Sequence, residues 1–158
     1  MKGRARGFTL IELVVTMAIV GILASVAVPL REVSVQRTKE HELRTALRQI
    51  REALDTYKLA VEDGRVLRAV DSSGYPRTLD ELEGGVVDAK DAGAKKIYFL
   101  RRLPRDPFYP QTDVPAADTW GKRAYASPPD APIEGDDVFD VYSRSERVGL
   151  NGIAYRAW

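Results

Sequence analysis

The sequence predicts an α+β fold: a long N-terminal helix, half transmembrane and half amphipathic, packed on a small three-stranded antiparallel sheet. Three observations predict it. No charge interrupts residues 13–30. Apolar side chains then recur at Leu43, Leu47, Ile50, Leu54, Tyr57 and Val61, and spacings that alternate between four and three line them along one helix face. Three short strand-like runs follow at 123–127, 138–143 and 153–158, each bounded by Pro, Gly, Asp or Asn. Three strands cannot bury a core unaided, and the helical stripe is the cover available to them.

Residues 1–7 form a basic leader with Lys2, Arg4 and Arg6 and no acid. Residues 8–30, FTLIELVVTMAIVGILASVAVPL, carry one charge, Glu12. At about 1.5 Å per residue the uncharged part alone reaches roughly 27 Å, close to the hydrocarbon thickness of a bilayer. Thr16 and Ser25, its polar exceptions, can bond back to helix carbonyls. This is a membrane-inserting segment. The acid-free leader favours an N-terminus inside, although Arg31, Arg37 and Lys39 follow the span.

Residues 31–63 continue the helix with a polar surface around the apolar stripe. Glu40 stands four residues before Arg44, a favourable pairing on a helix face. Pro29 kinks the helix rather than ending it, and Gly64 is the stop. The result is one helix of about 55 residues, roughly 80 Å long. A two-helix coiled coil is the other use such a stripe has. Residues 64–158 hold every Pro except Pro29 and most of the Gly. Thr78-Leu79-Asp80-Glu81 has capping-box spacing, so a short helix is expected to start there and end at Gly84-Gly85. Residues 86–93 read as a surface loop.

Composition closes several routes. The 158 residues carry 24 Lys and Arg against 23 Asp and Glu, a net charge of +1, which argues against a dedicated polyanion binder. Without cysteine there is no disulfide, thiolate site or Cys nucleophile, and the single histidine, His41, excludes a multi-histidine zinc site. No Walker loop, G-x-S-x-G or H-E-x-x-H is present, so no enzyme activity is expected. Lys95, Lys96, Arg101, Arg102 and Arg105 read as a solvated face that pairs across subunits, not as a nucleic-acid site. Tyr125, Tyr142, Tyr155 and Trp158 read as core and interface.

Gly7-Phe8-Thr9-Leu10-Ile11-Glu12, after a basic leader and before an apolar helix with Pro29, resembles the type IV prepilin motif. The resemblance implies a pilin-like fold, cleavage between Gly7 and Phe8 by prepilin peptidase, N-methylation of Phe8, and polymerisation into a helical filament anchored in the inner membrane. Physical chemistry agrees with those roles. A carboxylate near hydrocarbon costs several kcal/mol unless paired. Cleavage would create a cationic amine on Phe8, and between staggered subunits that amine and Glu12 can meet and set the register. The other reading of Glu12 is a headgroup-level acid favoured by the helix N-terminal dipole. Glycine at position 7 lets a peptidase approach the backbone closely.

Gly74-Tyr75-Pro76 with Leu79 and Leu82, the segment Phe99-Leu100-Arg101-Arg102-Leu103-Pro104-Arg105-Asp106-Pro107, Trp120-Gly121, Tyr125, Ser127-Pro128, Phe139-Asp140-Val141-Tyr142-Ser143 and the final Trp158 are similar, in order, to the major pseudopilins of type II secretion. That implies a structural subunit, single-pass in the inner membrane with its C-terminal domain in the periplasm. Its expected partners are further copies of itself, minor pseudopilins, prepilin peptidase, an inner-membrane assembly platform and membrane lipid. Energy would come from a cytoplasmic ATPase. Two departures stand out. Residues 108–119 insert between Asp106-Pro107 and Trp120-Gly121, and are expected to form an exposed loop. The family's C-terminal loop, rich in Asp and Gly, binds calcium; here it reads Ser145-Glu146-Arg147-Val148-Gly149-Leu150-Asn151-Gly152, with one carboxylate where calcium wants several oxygen ligands. Asp136, Asp137 and Asp140 are the weak candidates left for such an ion, so no cofactor is expected. The rival functions are a minor pilin of a type IV pilus, a membrane-anchored periplasmic enzyme, and a soluble periplasmic binding protein. The last requires ordinary signal peptidase to cut after Ala27, where Ser25-Val26-Ala27 offers small residues.

Overall fold

The structure, a computed structural model, describes residues 7–158; Lys2, Arg4 and Arg6 of the leader lie outside the described residues. The chain forms two compact units, one up to Thr38 and one over Lys39–Trp158. Helix α1, Leu10–Glu62, has 53 residues. Its start is fixed by Thr9, whose Oγ1 accepts from the Glu12 amide at 3.3 Å, an N-cap bond that satisfies one of the helix's orphan donors. Phe8 therefore precedes the helix, where the sequence reading began it. The helical backbone runs on through Pro29. The side chains of residues 26–29, those of Ala27 and Pro29 among them, lie outside the description.

In the first unit Thr16 Oγ1 donates to Leu13 O at 3.0 Å and Ser25 Oγ to Ile22 O at 2.7 Å. The two hydroxyls thus satisfy themselves within the helix, as expected. The large apolar side chains here, from Leu10 to Leu23, stand exposed.

The second unit holds the core. Leu43, Leu47, Ile50, Leu54, Tyr57 and Val61 are all buried, as the stripe predicts, and Ala46, Ala53 and Ala60 widen it. They form one cluster with Leu79, Leu82, Leu103, Trp120, Val138, Val141 and Tyr155. Small alanines beside large residues let neighbouring elements approach the helix closely.

The expected three-stranded sheet is instead two separate antiparallel pairs. Strands β1 (Val86–Val87) and β2 (Lys96–Ile97) pair Val86 with Ile97, at the start of what was read as a loop. Two residues per strand are too few for a period-2 pattern to show. Strands β3 (Trp120–Arg123) and β4 (Asp140–Ser143) pair Trp120 with Ser143 and Gly121 with Tyr142. Gly121 is required there, because a Cβ would lie 2.3 Å from the Tyr142 ring.

The run at 123–127 contributes only Arg123 to a strand; Ser127 then turns back, its amide on Ala124 O. The run at 153–158 is no strand. It makes one bridge, Val148 with Ala154, and closes in a 3-10 turn, Tyr155–Ala157. The reason is geometric. Tyr155 and Trp158, three residues apart, meet edge to face at 5.0 Å, which 3-10 spacing allows and an extended strand does not.

Helix α2 spans Asp80–Gly84 with Leu79 at its N-cap and no side-chain cap bond. Only half of the expected capping box is realised, and one residue early: Glu81 accepts from the Arg77 amide at 3.1 Å. Its other oxygen accepts from Tyr57 Oη at 3.0 Å, tying α2 to α1.

Candidate functional site: the N-terminal segment and a polar knot in the domain

Gly7, Phe8 and Glu12 stand at the exposed head of α1. A Cβ on Gly7 would meet nothing within 4 Å, so the fold itself makes no demand for glycine at this position. Phe8 is 80% exposed. Glu12 lies in the first turn, its amide held by Thr9. An acid there is favoured by the helix dipole, and it is the only charge that the apolar span carries. Thr9 is the contributor that the sequence reading missed. Thr9-Leu10-Ile11-Glu12 has the same spacing as Thr78-Leu79-Asp80-Glu81, and the signal was there to be read.

In the second unit the basic-Leu-Pro-basic-Asp-Pro segment forms a polar knot that holds β3 and β4. Asp106 is 3% exposed. Its Oδ2 accepts from Ser143 Oγ at 2.6 Å, its Oδ1 from the Phe108 amide at 2.8 Å, and its own amide donates to Thr119 Oγ1 at 3.2 Å. Trp120 Nε1 donates to Pro104 O at 2.8 Å. A buried carboxylate is tolerated when several donors surround it. The insertion at 108–119 is correspondingly less exposed than expected: Ala117 and Thr119 are buried and Phe108 half-buried.

The other sequence candidates separate. Arg105 donates to Gln111 O at 2.9 Å and to Val114 O, so it anchors the insertion, while Lys96 Nζ donates to Gly84 O. Arg101 and Arg102 stay exposed. His41 is exposed on α1. Asp136, Asp137 and Asp140 do not converge: Asp137 Oδ1 accepts from the Tyr125 amide, and Asp140 is held by Arg51 at 2.8 Å and Arg123 at 3.4 Å. Among the described residues no group of three or more Asp, Glu, His or Cys is placed to hold a metal ion. The expected pairing of Glu40 with Arg44 is replaced. Glu40 turns inward to Leu150 and Tyr155, and the Arg44 guanidinium sits 4.3 Å over the Trp158 ring.

An apolar stretch of bilayer length with one acid in its first turn, on a helix that continues into the core of an α+β domain, fits a pilin-like subunit with a single membrane span. The prokaryotic N-terminal methylation motif matches residues 2–28. The chain is similar to the type II secretion system core protein G of Dickeya chrysanthemi, 29% identical over 160 residues that cover 96% of this chain and 97% of that protein. It is 33% identical to the type II secretion system core protein G of Klebsiella pneumoniae over 109 residues, 66% of this chain and 70% of that one. Similarity to the type IV major fimbrial protein FimA of Dichelobacter nodosus, 37% identical, extends over 65 residues, 41% of this chain. No solved structure gives a significant match. The chain belongs to the type II secretion system core protein G family, the pseudopilin subunits of that system.

Proposed function

We propose that this pseudopilin is cut between Gly7 and Phe8 by prepilin peptidase, methylated on the new Phe8 amine, and polymerised through α1 into a periplasmic filament that drives protein export. Before assembly the apolar half of α1 holds it in the inner membrane, with residues 64–158 and the amphipathic helix on the periplasmic side. Glu12 pairs with the Phe8 amine of a neighbouring copy and fixes the register of addition. Minor pseudopilins, an inner-membrane assembly platform and membrane lipid complete its surroundings. No step needs a catalytic group from this chain.

One observation carries the reading: Glu12 is the sole charge on a span whose apolar side chains are exposed in the single subunit. Such a surface requires lipid or copies of itself, and its acid requires a cation. The match over residues 2–28 supports the same segment as the processed one. The match to core protein G along 96% of the chain favours the secretion filament over a surface pilus, whose FimA similarity spans 41%. The test is the mass and N-terminal sequence of the mature protein. A start at methylated Phe8 is expected. A start at Val28, after cleavage behind Ala27, would replace this reading with the soluble periplasmic one.

A further inference from the structure

The family resemblance implies a calcium ion in the C-terminal loop, and the residues of that loop do not fit one. Across 145–152 the only carboxylate is Glu146, and Arg147 follows it. The backbone oxygens that a cation would recruit are already accepting: Arg147 O from the Tyr155 amide at 3.1 Å, Gly149 O from Gly152 at 2.9 Å, Ile153 O from Gly149 at 2.9 Å. Asn151 Oδ1 accepts from the Ile153 amide at 3.1 Å. A hard cation needs six to eight free oxygens, and this loop has turned its oxygens onto its own amides.

What converges here is a set of donors. The Leu150 amide at 2.8 Å and the Tyr155 hydroxyl at 2.9 Å both donate to Glu40 Oε1, and Glu40 is 6% exposed. The polarity is the reverse of a calcium loop, in which a positive centre gathers oxygens. Here a negative centre gathers N–H and O–H. The inserted segment takes part: Phe108 stacks on Tyr155 with ring centroids 4.0 Å apart, and the Arg147 guanidinium lies 5.5 Å over Phe108. The two departures from the family pattern, insertion and acid-poor loop, thus meet at one place.

We propose that the Glu40 carboxylate, held by the Leu150 amide and the Tyr155 hydroxyl, replaces calcium as the group that closes the C-terminal loop onto α1. The loop of this pseudopilin is then closed at any calcium level, because its charge is supplied covalently by the helix. Charge-assisted hydrogen bonds are roughly twice as strong as neutral ones, so a carboxylate that accepts from two loop donors suffices for closure.

The full chain in detergent decides this. Thermal unfolding and hydrogen exchange of the Leu150 amide are compared in EDTA and in excess calcium chloride, for wild type, Glu40→Gln and Tyr155→Phe. Calcium is expected to change neither the midpoint nor the Leu150 protection of wild type. Glu40→Gln is expected to lose roughly tenfold of that protection. Tyr155→Phe, which keeps the ring, is expected to lower the midpoint with or without calcium. A saturable, calcium-dependent rise in the wild-type midpoint overturns the proposal, as does unchanged Leu150 protection in Glu40→Gln. Should Glu40→Gln fail to fold, the calcium comparison and Tyr155→Phe still decide, an unchanged midpoint in the latter counting against. None of these readouts depends on processing at Gly7, so the proposed processing and assembly stand or fall separately.

Discussion

At the scale of single residues, Gly7, Phe8 and Glu12 are singled out by type and position, and no side-chain contact among the described residues accounts for them. Gly7 faces open space, Phe8 is exposed, and Glu12 is a lone charge on an apolar span. A residue that its own fold does not require is a candidate for recognition by something else. The charge argument makes a direct prediction. In Glu12→Val the Gly7–Phe8 bond remains presented ahead of a helix still capped by Thr9, so prepilin peptidase should cut it normally. Incorporation beside wild-type subunits should fail, because the incoming copy offers nothing to the amine it must meet. Cross-linking of mixed subunits in membranes, with maturation followed by mass, measures both halves. Assembly of the variant at wild-type level would remove the assigned role of the carboxylate. Residues such as Glu40 and Asp106 were not legible in this way. The Leu150 and Tyr155 partners of Glu40 lie 110 and 115 positions away in the chain, and a local pattern offered Arg44 instead.

At the scale of elements, the contact between α1 and α2 titrates. Burial, and then the charge and hydrogen bond of Glu81, push the Tyr57 hydroxyl above its ordinary pKa of 10.0. The sign follows from linkage: above pH 10 the unfolded phenol releases its proton while the folded one keeps it, so the unfolded state binds fewer protons. The stabilisation is complete below pH 10 and is lost as pH rises toward the folded value. Denaturant melts over that range should therefore fall more steeply for wild type than for Tyr57→Phe. At neutral pH the variant should lose about 1 kcal/mol through its missing bond to Glu81. Tyr75, raised chiefly by burial, leaves part of the slope in place, so parallel curves would contradict the assignment. The same scale shows what pattern reading can deliver. The stripe from Leu43 to Val61 repeated often enough to be unambiguous, and every member is buried. Ile153, Tyr155 and Ala157 alternate as a strand would, yet the chain instead follows the i,i+3 contact of Tyr155 with Trp158. The sequence contains both periods, and only the core into which Tyr155 is drawn selects one.

At the scale of the whole molecule, all the described side chains that are buried lie at Glu40 or beyond. The long helix thus does two jobs under opposite solvent rules. Up to Leu30 it is apolar, which suits the lipid or the neighbouring copies that the proposed function gives it. Beyond Lys39 it is amphipathic because one face completes a water-soluble core. A domain whose core is contained in one stretch of chain should fold from that stretch alone. A chain of residues 31–158 retains two helical turns ahead of Glu40 and every member of the core cluster. It is expected to remain soluble without detergent, to unfold cooperatively within a few degrees of the mature protein, and to lose all association with lipid vesicles. Circular dichroism melts and vesicle flotation measure these outcomes. A truncated chain that aggregates or melts without cooperativity would mean that residues 8–30 stabilise the domain as well as anchoring it. Retained flotation would place a second lipid-binding surface on the domain.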